Sequence, residues 1–366
     1  MSPILRPRAG PTRENANQRL KRVTTGNISP TWKRQSRSHA TSKGFQNIQN
    51  VLCYRNSAIQ ALLHLPKFVN WVEHAHRHCT SNRSSCIPCA IKYLSLRYWD
   101  EPRSQDIDSS MRKLTRCMRR AQGKTMLQYP MTAAYDETEF LNWQWDWRRQ
   151  QDASEFLLHL LNAMPEQNET VRPIVKALFE FDITQTLKCA YCRAISQQTN
   201  PEKILGVNLQ NPGPLKRLLR HNVFAPATMT DWRCRVCHQF EATTELVQSL
   251  KLATTPEILV VEFRRFNSDG QKDNVHIPFT KWLDLTPYTI NRTPTKYRLM
   301  AVVHHSGTLD EGHYVTVARG PRGNWQRMND QVVTDATVTE ALRPSNDFTP
   351  YLLFYTKMAS GKAITS

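Results

Sequence analysis

The hydrophobic pattern of the chain changes near residue 180, and this change decides the fold class. Before it, apolar residues recur every three or four positions in "CYRNSAIQALLHLP" (53–66) and "QQDASEFLLHLLNAM" (150–164), as in helices with one buried face. After it, "EILVVEFRRF", "YRLMAVVHH", "HYVTVARG" and "YLLFYT" are apolar or alternating runs of strand length. Helices followed by strands predict an α+β domain with a largely antiparallel sheet.

Residues 1–43 differ from the rest of the chain in charge and composition. They carry ten Lys or Arg against one acid, Glu14, a net of +9 and half of the chain's formal charge of +18. They are rich in Ser, Thr, Asn and Pro and show no apolar periodicity. We therefore predict a disordered basic tail over 1–43, a folded domain over 44–357 and a short tail over 358–366.

The basic tail suggests two roles besides solubility. Lys21 and Arg22, followed after ten residues by "KRQSR" (33–37), are typical of a nuclear import signal. The same cations favour non-specific contact with nucleic-acid phosphates. The chain opens without a signal-peptide-like stretch, and no apolar run is long enough to span a bilayer. We therefore expect an intracellular protein of the cytoplasm or nucleus, with no membrane partner.

In such a compartment the nine cysteines are expected to stay reduced, which favours metal sites or catalysis over disulfides. Cys53 stands where a helix pattern begins, and the unpaired N–H groups at a helix start favour a thiolate. The alternative is a buried, inert cysteine that fills a gap in the core. A base and an orienting group elsewhere in the sequence would decide between the two.

Candidates for both groups lie near the C-terminus. His313 follows Gly312 and opens the strand pattern "HYVTVARG", so its ring is expected at one end of the sheet. Asn329 and Asp330 form a polar break between apolar residues, where a turn can present an amide or a carboxylate to the histidine. The order Cys, His, Asn/Asp is that of hydrolases in which the three residues meet only in the fold.

Six segments follow one another in a known order. The first three are "GFQNIQNVLCYRNS" (44–57), "QQDASEF" (150–156) and "EILVVEFRRF" (257–266). The last three are "HSGTLDEGHY" (305–314), "WQRMND" (325–330) and "YLLFY" (351–355). In sequence and order, from Gly44 to Tyr355, they resemble the boxes of the ubiquitin-specific proteases, a family of papain-like deubiquitinating cysteine peptidases.

The resemblance implies a papain-like fold with a helical thumb, a β-rich palm and zinc-binding fingers at roughly residues 180–250. It implies hydrolysis of the isopeptide or peptide bond after the C-terminal glycine of ubiquitin, so ubiquitin and ubiquitinated proteins are the expected partners. Cys53 would be the nucleophile and His313 its general base. Asn329 would orient His313, and Asp330 would support it or the oxyanion. No cofactor is implied for catalysis.

Two further residues come from the same resemblance. Asp152 matches the family acid that approaches the basic tail of ubiquitin, although it also fits a plain helix cap. The family places its oxyanion asparagine five residues before the cysteine, but this chain has Ile48 there because "NIQNVL" is one residue longer. We predict that Asn47 is the oxyanion donor and that the extra residue bulges beside it; Asn50 is the alternative.

Two Cys-x-x-Cys pairs lie in the β-rich middle of the chain, Cys189 with Cys192 and Cys234 with Cys237. Four thiolates close a tetrahedral structural zinc site, and the family's fingers have this layout, so we predict zinc there. The alternative is four reduced thiols in the core.

A weaker set lies in "HAHRHCTSNRSSCIPCA" (74–90). Its cysteines, Cys79, Cys86 and Cys89, could join one nearby histidine, His74, His76 or His78, around a second zinc. Only one Cys-x-x-Cys pair is present, so a solvent-exposed polar loop is the favoured interpretation.

Two alternatives to an active enzyme remain open on sequence grounds. The first is a non-catalytic ubiquitin-binding scaffold with an impaired oxyanion loop, which would not need the Cys, His and Asn/Asp set. The second is a basic zinc protein that binds nucleic acid. It is disfavoured because the excess charge is concentrated in the tail and the cysteine pairs lack the helix-borne histidines of groove-reading fingers.

Overall fold

The computed structural model describes residues 15–33, 42–76, 79, 85–99, 107–125, 149–229, 234–237, 246–308, 311–344 and 347–359. Its helices are α1 (Ala16–Thr25), α2 (Cys53–Leu63), α3 (Pro66–Asn70), α4 (Ile87–Trp99), α5 (Ile107–Thr125), α6 (Ala153–Gln167), α7 (Arg172–Phe179), α8 (Leu215–Leu218) and α9 (Val338–Leu342). None of these described helices is long and apolar enough to cross a membrane.

The strands almost all follow residue 180, which confirms the predicted α+β class. They are β1 (Phe181–Cys189), β2 (Ile195–Glu202), β3 (Ile204–Asn208), β4 (Ala227–Met229), β5 (Leu246–Leu252), β6 (Ile258–Arg264), β7 (Trp282–Asp284), β8 (Lys296–Gly307), β9 (Gly312–Arg319), β10 (Trp325–Asn329), β11 (Val332–Ala336) and β12 (Thr349–Lys357). The four strands read from the sequence correspond to β6, β8, β9 and β12.

The larger sheet has the order β11-β10-β9-β8-β12-β6-β3, with β7 beside β8. Its pairs are antiparallel except for β3 and β6. Alternate residues along β6 and β12 enter two different apolar clusters, because successive side chains of a strand point to opposite faces. The sheet therefore has a core on each face, and the cluster that includes α2 and α6 lies on the face that carries the candidate site.

The second sheet has four antiparallel strands in the order β2-β1-β5-β4. Every residue of β2 is exposed, whereas β1 continues directly from the buried end of α7. An edge strand that is exposed on both faces indicates an arm that projects from the main body.

Helix α2 is the central helix of the fold, because all of its residues are buried. It packs against α6 on one side and β9 on the other. The sequence predicted a helix with one buried face that continues to Pro66, but α2 ends at Leu63 and Pro66 opens α3. Proline is tolerated at that first position because its missing N–H group has no partner there anyway.

The prediction of a disordered tail is wrong for residues 15–33. Helix α1 is capped by Asn15, whose side chain accepts the N–H group of Gln18. Further along, Asn70 donates to the carbonyl of Ser29 at 2.9 Å, and Trp32 stacks edge-on against Trp99. The remaining parts of the predicted tails, 1–14, 34–41 and 360–366, lie outside the described residues.

The polar face of α1 is the buried one, which is why apolar periodicity missed this helix. Gln18, Lys21 and Thr25 face the domain, whereas Leu20 and Val23 are exposed. Lys21 Nζ donates to the carbonyl of Glu180 at 2.6 Å and to Thr254 Oγ1 at 2.8 Å, and burial lowers its pKa. While α1 is docked, Lys21 is not available to an import receptor or to a phosphate.

Candidate active site

Cys53 is the first residue of α2, and its thiol is 1% exposed in the cleft between α2 and β9. Sγ lies 4.0 Å from the carbonyl oxygen of Gly312, the residue before His313. Burial raises the pKa of this thiol, although the backbone N–H groups of Tyr314 and Tyr54 partly oppose the shift. A thiol with a raised pKa needs a proton acceptor to attack as a thiolate.

His313 is the second residue of β9, and its Nε2 lies 2.6 Å from Oδ1 of Asn329 at the end of β10. The bond fixes the ring orientation and leaves Nδ1 as the nitrogen free to accept a proton. In the described part of the chain Cys53 and His313 make no hydrogen bond to one another, since the thiol is turned toward Gly312. The three residues therefore share one cleft, with one of their two contacts formed.

Gly312 has a steric reason for being glycine. A Cβ on this residue would lie 2.1 Å from Nε2 of His305 and 2.8 Å from the carbonyl oxygen of Ser306, both on the paired strand β8. The absence of a side chain therefore lets β9 start close to β8 and places His313 next to the thiol.

Asp330 follows Asn329 in the turn between β10 and β11, with φ at +50°. Its carboxylate faces the cysteine loop: Oδ2 accepts from Asn47 at 2.9 Å, and Oδ1 accepts from Asn56 at 2.8 Å. The same Oδ2 lies 3.9 Å from Nε2 of His313. Asp330 thus connects the histidine side of the cleft to the cysteine side, and Asn56 is a member of the site that the sequence reasoning missed.

The cysteine loop is closed by Asn47, whose Oδ1 accepts the N–H group of Leu52 at 2.7 Å. The residue inserted relative to the family pattern is absorbed by a tight turn in which Gln49 and Asn50 have φ of 60° and 57°. Gln150 bridges the cleft, because it donates to the carbonyl of Asn50 at 3.4 Å and accepts from the N–H group of Gly312 at 2.9 Å.

Asp152 is confirmed as the cap of α6, because its Oδ1 accepts from the N–H groups of Ser154 and Glu155 at 2.7 and 3.0 Å. Its other oxygen faces the cleft and accepts from the hydroxyls of Tyr314 and Tyr351 at 3.1 and 2.5 Å. One carboxylate therefore fixes both the start of the helix and two aromatic residues of the sheet.

Two more acids lie beside Asp152. Burial, with the charges of Asp152 and Glu262, raises the pKa of Glu155 to about 6. Burial, followed by the charge of Asp152, also raises the pKa of Glu262. Mutual repulsion of this kind favours binding of a cation. The signal in the sequence was a lone acid inside the apolar run "EILVVEFRRF".

The four cysteines predicted to bind zinc come together at the end of the second sheet. The Sγ atoms of Cys189 and Cys237 are 4.0 Å apart, and those of Cys192 and Cys234 are 3.6 Å apart. A tetrahedral zinc with Zn–S bonds of about 2.3 Å requires sulfur–sulfur edges of about 3.8 Å. The donor set therefore fits a structural zinc ion.

The weaker histidine and cysteine set forms a second cluster of four possible ligands, in which His76 is the histidine. Its Nε2 lies 3.5 Å from the sulfur of Cys86 and 3.4 Å from that of Cys89, while Cys79 completes the set. The exposed-loop interpretation is wrong for His76, Cys86 and Cys89, which are buried because α4 begins at this point and packs them against the helical core. His78 lies outside the described residues.

Comparison with known proteins gives one family. The family model described as ubiquitin carboxyl-terminal hydrolase matches residues 43–355. Among curated proteins, ubiquitin carboxyl-terminal hydrolase 17-like protein B of Mus musculus is 26% identical over 332 residues, which cover 85% of this chain and 63% of the relative. Ubiquitin carboxyl-terminal hydrolase 8 of Saccharomyces cerevisiae is 24% identical over 338 residues, with coverages of 83% and 68%. The chain thus spans about two thirds of the length of these relatives.

Solved structures agree on the fold. A SAGA DUB module, Ubp8/Sgf11/Sus1/Sgf73 bound to monoubiquitin, contains a chain that superposes with a TM-score of 0.70 and 22% identity, covering 89% of this chain and 71% of its own. A second yeast SAGA DUB module gives a TM-score of 0.69 at 22% identity, with coverages of 92% and 72%. At this identity the superposition shows a common fold.

Proposed function

Because the chain belongs to the ubiquitin carboxyl-terminal hydrolase family, we propose that it is a thiol-dependent deubiquitinase. Its substrates are isopeptide or peptide bonds after the C-terminal glycine of ubiquitin in ubiquitinated proteins. The observation that carries this proposal is the meeting of Cys53 with the bonded pair His313 and Asn329 in one cleft. A scaffold that only bound ubiquitin would have no use for this arrangement.

The proposed mechanism follows from the free ring nitrogen of His313. The thiol of Cys53 turns from Gly312 toward Nδ1, gives up its proton and attacks the carbonyl carbon of the terminal glycine. The imidazolium, held by Asn329, then donates that proton to the departing amine. Water activated by the same ring hydrolyses the thioester and frees the ubiquitin carboxylate and the thiol.

The test is hydrolysis of a fluorogenic amide at the ubiquitin C-terminus. We expect turnover by the full chain, and turnover at least roughly tenfold slower on the same amide of a different ubiquitin-like modifier. No turnover of any such amide by folded protein that still binds ubiquitin would favour the scaffold instead.

We propose Asn47 as the oxyanion donor. A side-chain amide has two N–H bonds; one donates to Asp330, which leaves the second available for the oxyanion. We expect Asn47→Ala to lower kcat on the order of a hundredfold. Asn50→Ala is the matched control and should change kcat less than about threefold, because only the backbone carbonyl of Asn50 has a bond across the cleft. The reverse order of effects would assign the role to Asn50.

We propose that Asp152 also attracts the basic tail of ubiquitin. An asparagine in its place would keep the helix cap, because Asn and Asp are equally good cap residues, but would lack the charge. We therefore expect Asp152→Asn to raise KM for the ubiquitin amide roughly tenfold at an unchanged melting temperature. An unchanged KM would leave the residue with its capping role alone.

We propose a structural zinc ion in each of the two clusters, with no part in the chemical steps. Protein purified without added zinc should contain about two zinc ions per chain. Cys192→Ser and Cys89→Ser should each remove one, whereas Cys117→Ser, which changes a buried thiol of α5 outside both clusters, should remove neither. Zinc content near zero in folded, active protein would contradict the proposal.

The remaining assignments rest on the same chemistry. All nine cysteines lie in the described part of the chain as thiols rather than disulfides, which supports function inside the cell, in the cytoplasm or nucleus. Ubiquitin is the proposed partner. Nucleic-acid contact through residues 1–43 remains a prediction of the sequence, and the burial of Lys21 weakens it.

A further inference from the structure

Asn56 lies on α2 one turn after Cys53 and is fully buried. Its side-chain nitrogen donates to Oδ1 of Asp330 at 2.8 Å and to the carbonyl of Gln46 at 3.2 Å. Its side-chain oxygen accepts from Nε and Nη2 of Arg55 at 3.3 and 2.9 Å. Every bonding direction of this carboxamide is thus defined, and the guanidinium, which only donates, fixes which end is the oxygen.

Arg55 is itself held in place. It is buried beside Asn56, and its Nη1 donates to Thr115 of α5 at 3.2 Å. Burial lowers its pKa to about 10, so it remains a cation at neutral pH. The orientation of the Asn56 amide therefore depends on a rigid charged group in the core and not on solvent.

From Asn56 the bonds lead to the reacting centre. Asp330 accepts from Asn56 on one oxygen and from Asn47 on the other, and Asn47 in turn holds the loop before Cys53 through the N–H group of Leu52. The backbone carbonyl of Asp330 also accepts from the N–H group of Phe45 at 2.8 Å. Because Asp330 has a left-handed backbone, its carboxylate has little intrinsic preference for this direction and needs such contacts.

We propose that Asn56 is a positioning residue, which fixes Asp330 and through it aims the free N–H bond of Asn47 at the oxyanion. The inference rests on the proposed hydrolase function of this cleft. Asn56 touches neither the substrate nor the thiol, so its effect falls on the tetrahedral state alone.

The informative variant is Asn56→Asp. It keeps the size of the side chain and an acceptor for Arg55, but it sets a carboxylate oxygen against Asp330 in place of the N–H donor. We expect kcat for the ubiquitin amide to fall roughly ten- to hundredfold with KM changed less than about threefold. Affinity for a ubiquitin C-terminal aldehyde, whose thiohemiacetal oxygen occupies the same position, should fall in parallel.

Alkylation of Cys53 by iodoacetamide separates positioning from general damage. The thiolate displaces iodide without forming an oxyanion, so the rate at Cys53, followed by peptide mass spectrometry, should stay within about twofold of wild type. The matched control is Asn70→Asp, since Asn70 is also buried and donates to two carbonyls, those of Ser29 and Thr31, outside the cleft. It should leave kcat unchanged.

Exchange of the two groups should restore the bond in reverse. In Asn56→Asp/Asp330→Asn the amide at 330 donates to the carboxylate at 56 while its oxygen still accepts from Asn47. We expect kcat at least roughly threefold above that of Asn56→Asp alone.

Four results would overturn the proposal: Asn56→Asp equal to Asn70→Asp in kcat, alkylation that falls as far as kcat, a double variant no better than the single, or failure of both variants to fold. Wild-type protein without turnover would instead contradict the proposed hydrolase.

Discussion

Cys53→Ala is expected to lower kcat/KM for the ubiquitin C-terminal amide on the order of 10⁴-fold or more, because no other group in the cleft can form the acyl intermediate. Its thiol is the one beside Gly312 and His313, at the start of α2. Alanine leaves α2 intact and removes only a small buried sulfur, so ubiquitin binding should persist. The measurement is initial rate against substrate concentration, together with direct titration of ubiquitin.

Cys117→Ala is the control for loss of a buried thiol. Cys117 lies on α5 and is as buried as Cys53. It should retain wild-type turnover. Equal turnover by wild type and Cys53→Ala would remove the hydrolase proposal, whereas loss in both variants would point to damage of the core.

His313→Ala is expected to have the second largest effect, a fall in kcat on the order of 10³-fold. Burial raises the pKa of the Cys53 thiol, so without an acceptor little thiolate forms at neutral pH. The fall should shrink as pH rises toward the pKa of the thiol, because hydroxide then removes the proton that His313 accepts in the wild type. Rates of both proteins across the alkaline range give this ratio.

His221→Ala provides the comparison for histidine loss, because His221 is exposed and belongs to the turn after α8. It should match wild type at every pH. A wild-type to His313→Ala ratio that is independent of pH would contradict a role for His313 as the base of Cys53.

Local signals in the sequence gave much of the fold. Helix α6 was predicted with its cap, because Asp152 precedes an apolar face of regular spacing, and β6, β8, β9 and β12 were predicted because buried strands are long apolar runs. Helix α1 was missed because its buried face is polar. Burial of Lys21 depends on carbonyl and hydroxyl groups more than 150 residues away, which no local pattern contains.

The candidate site divides in the same way. Cys53, His313 and Asn329 could be named because their boxes have a recognisable order, and the structure places them in one cleft. Asn56, Glu155 and Glu262 were not singled out, since a buried amide in a helix or an acid in a strand acquires meaning only from what faces it. The second cysteine cluster was judged an exposed loop because burial by α4 is a tertiary property.

The sequence by itself determined the helix-then-strand order, the family and the residues able to act as nucleophile, base and metal ligands, because these depend on residue type and spacing along the chain. Only the tertiary structure decided which partners these residues have. It turned the thiol toward Gly312, tied Asn47 and Asn56 to one carboxylate, and selected His76 from three histidines. The physical reason is that hydrogen bonds and burial depend on distance in space, and the fold joins residues that the sequence keeps hundreds of positions apart.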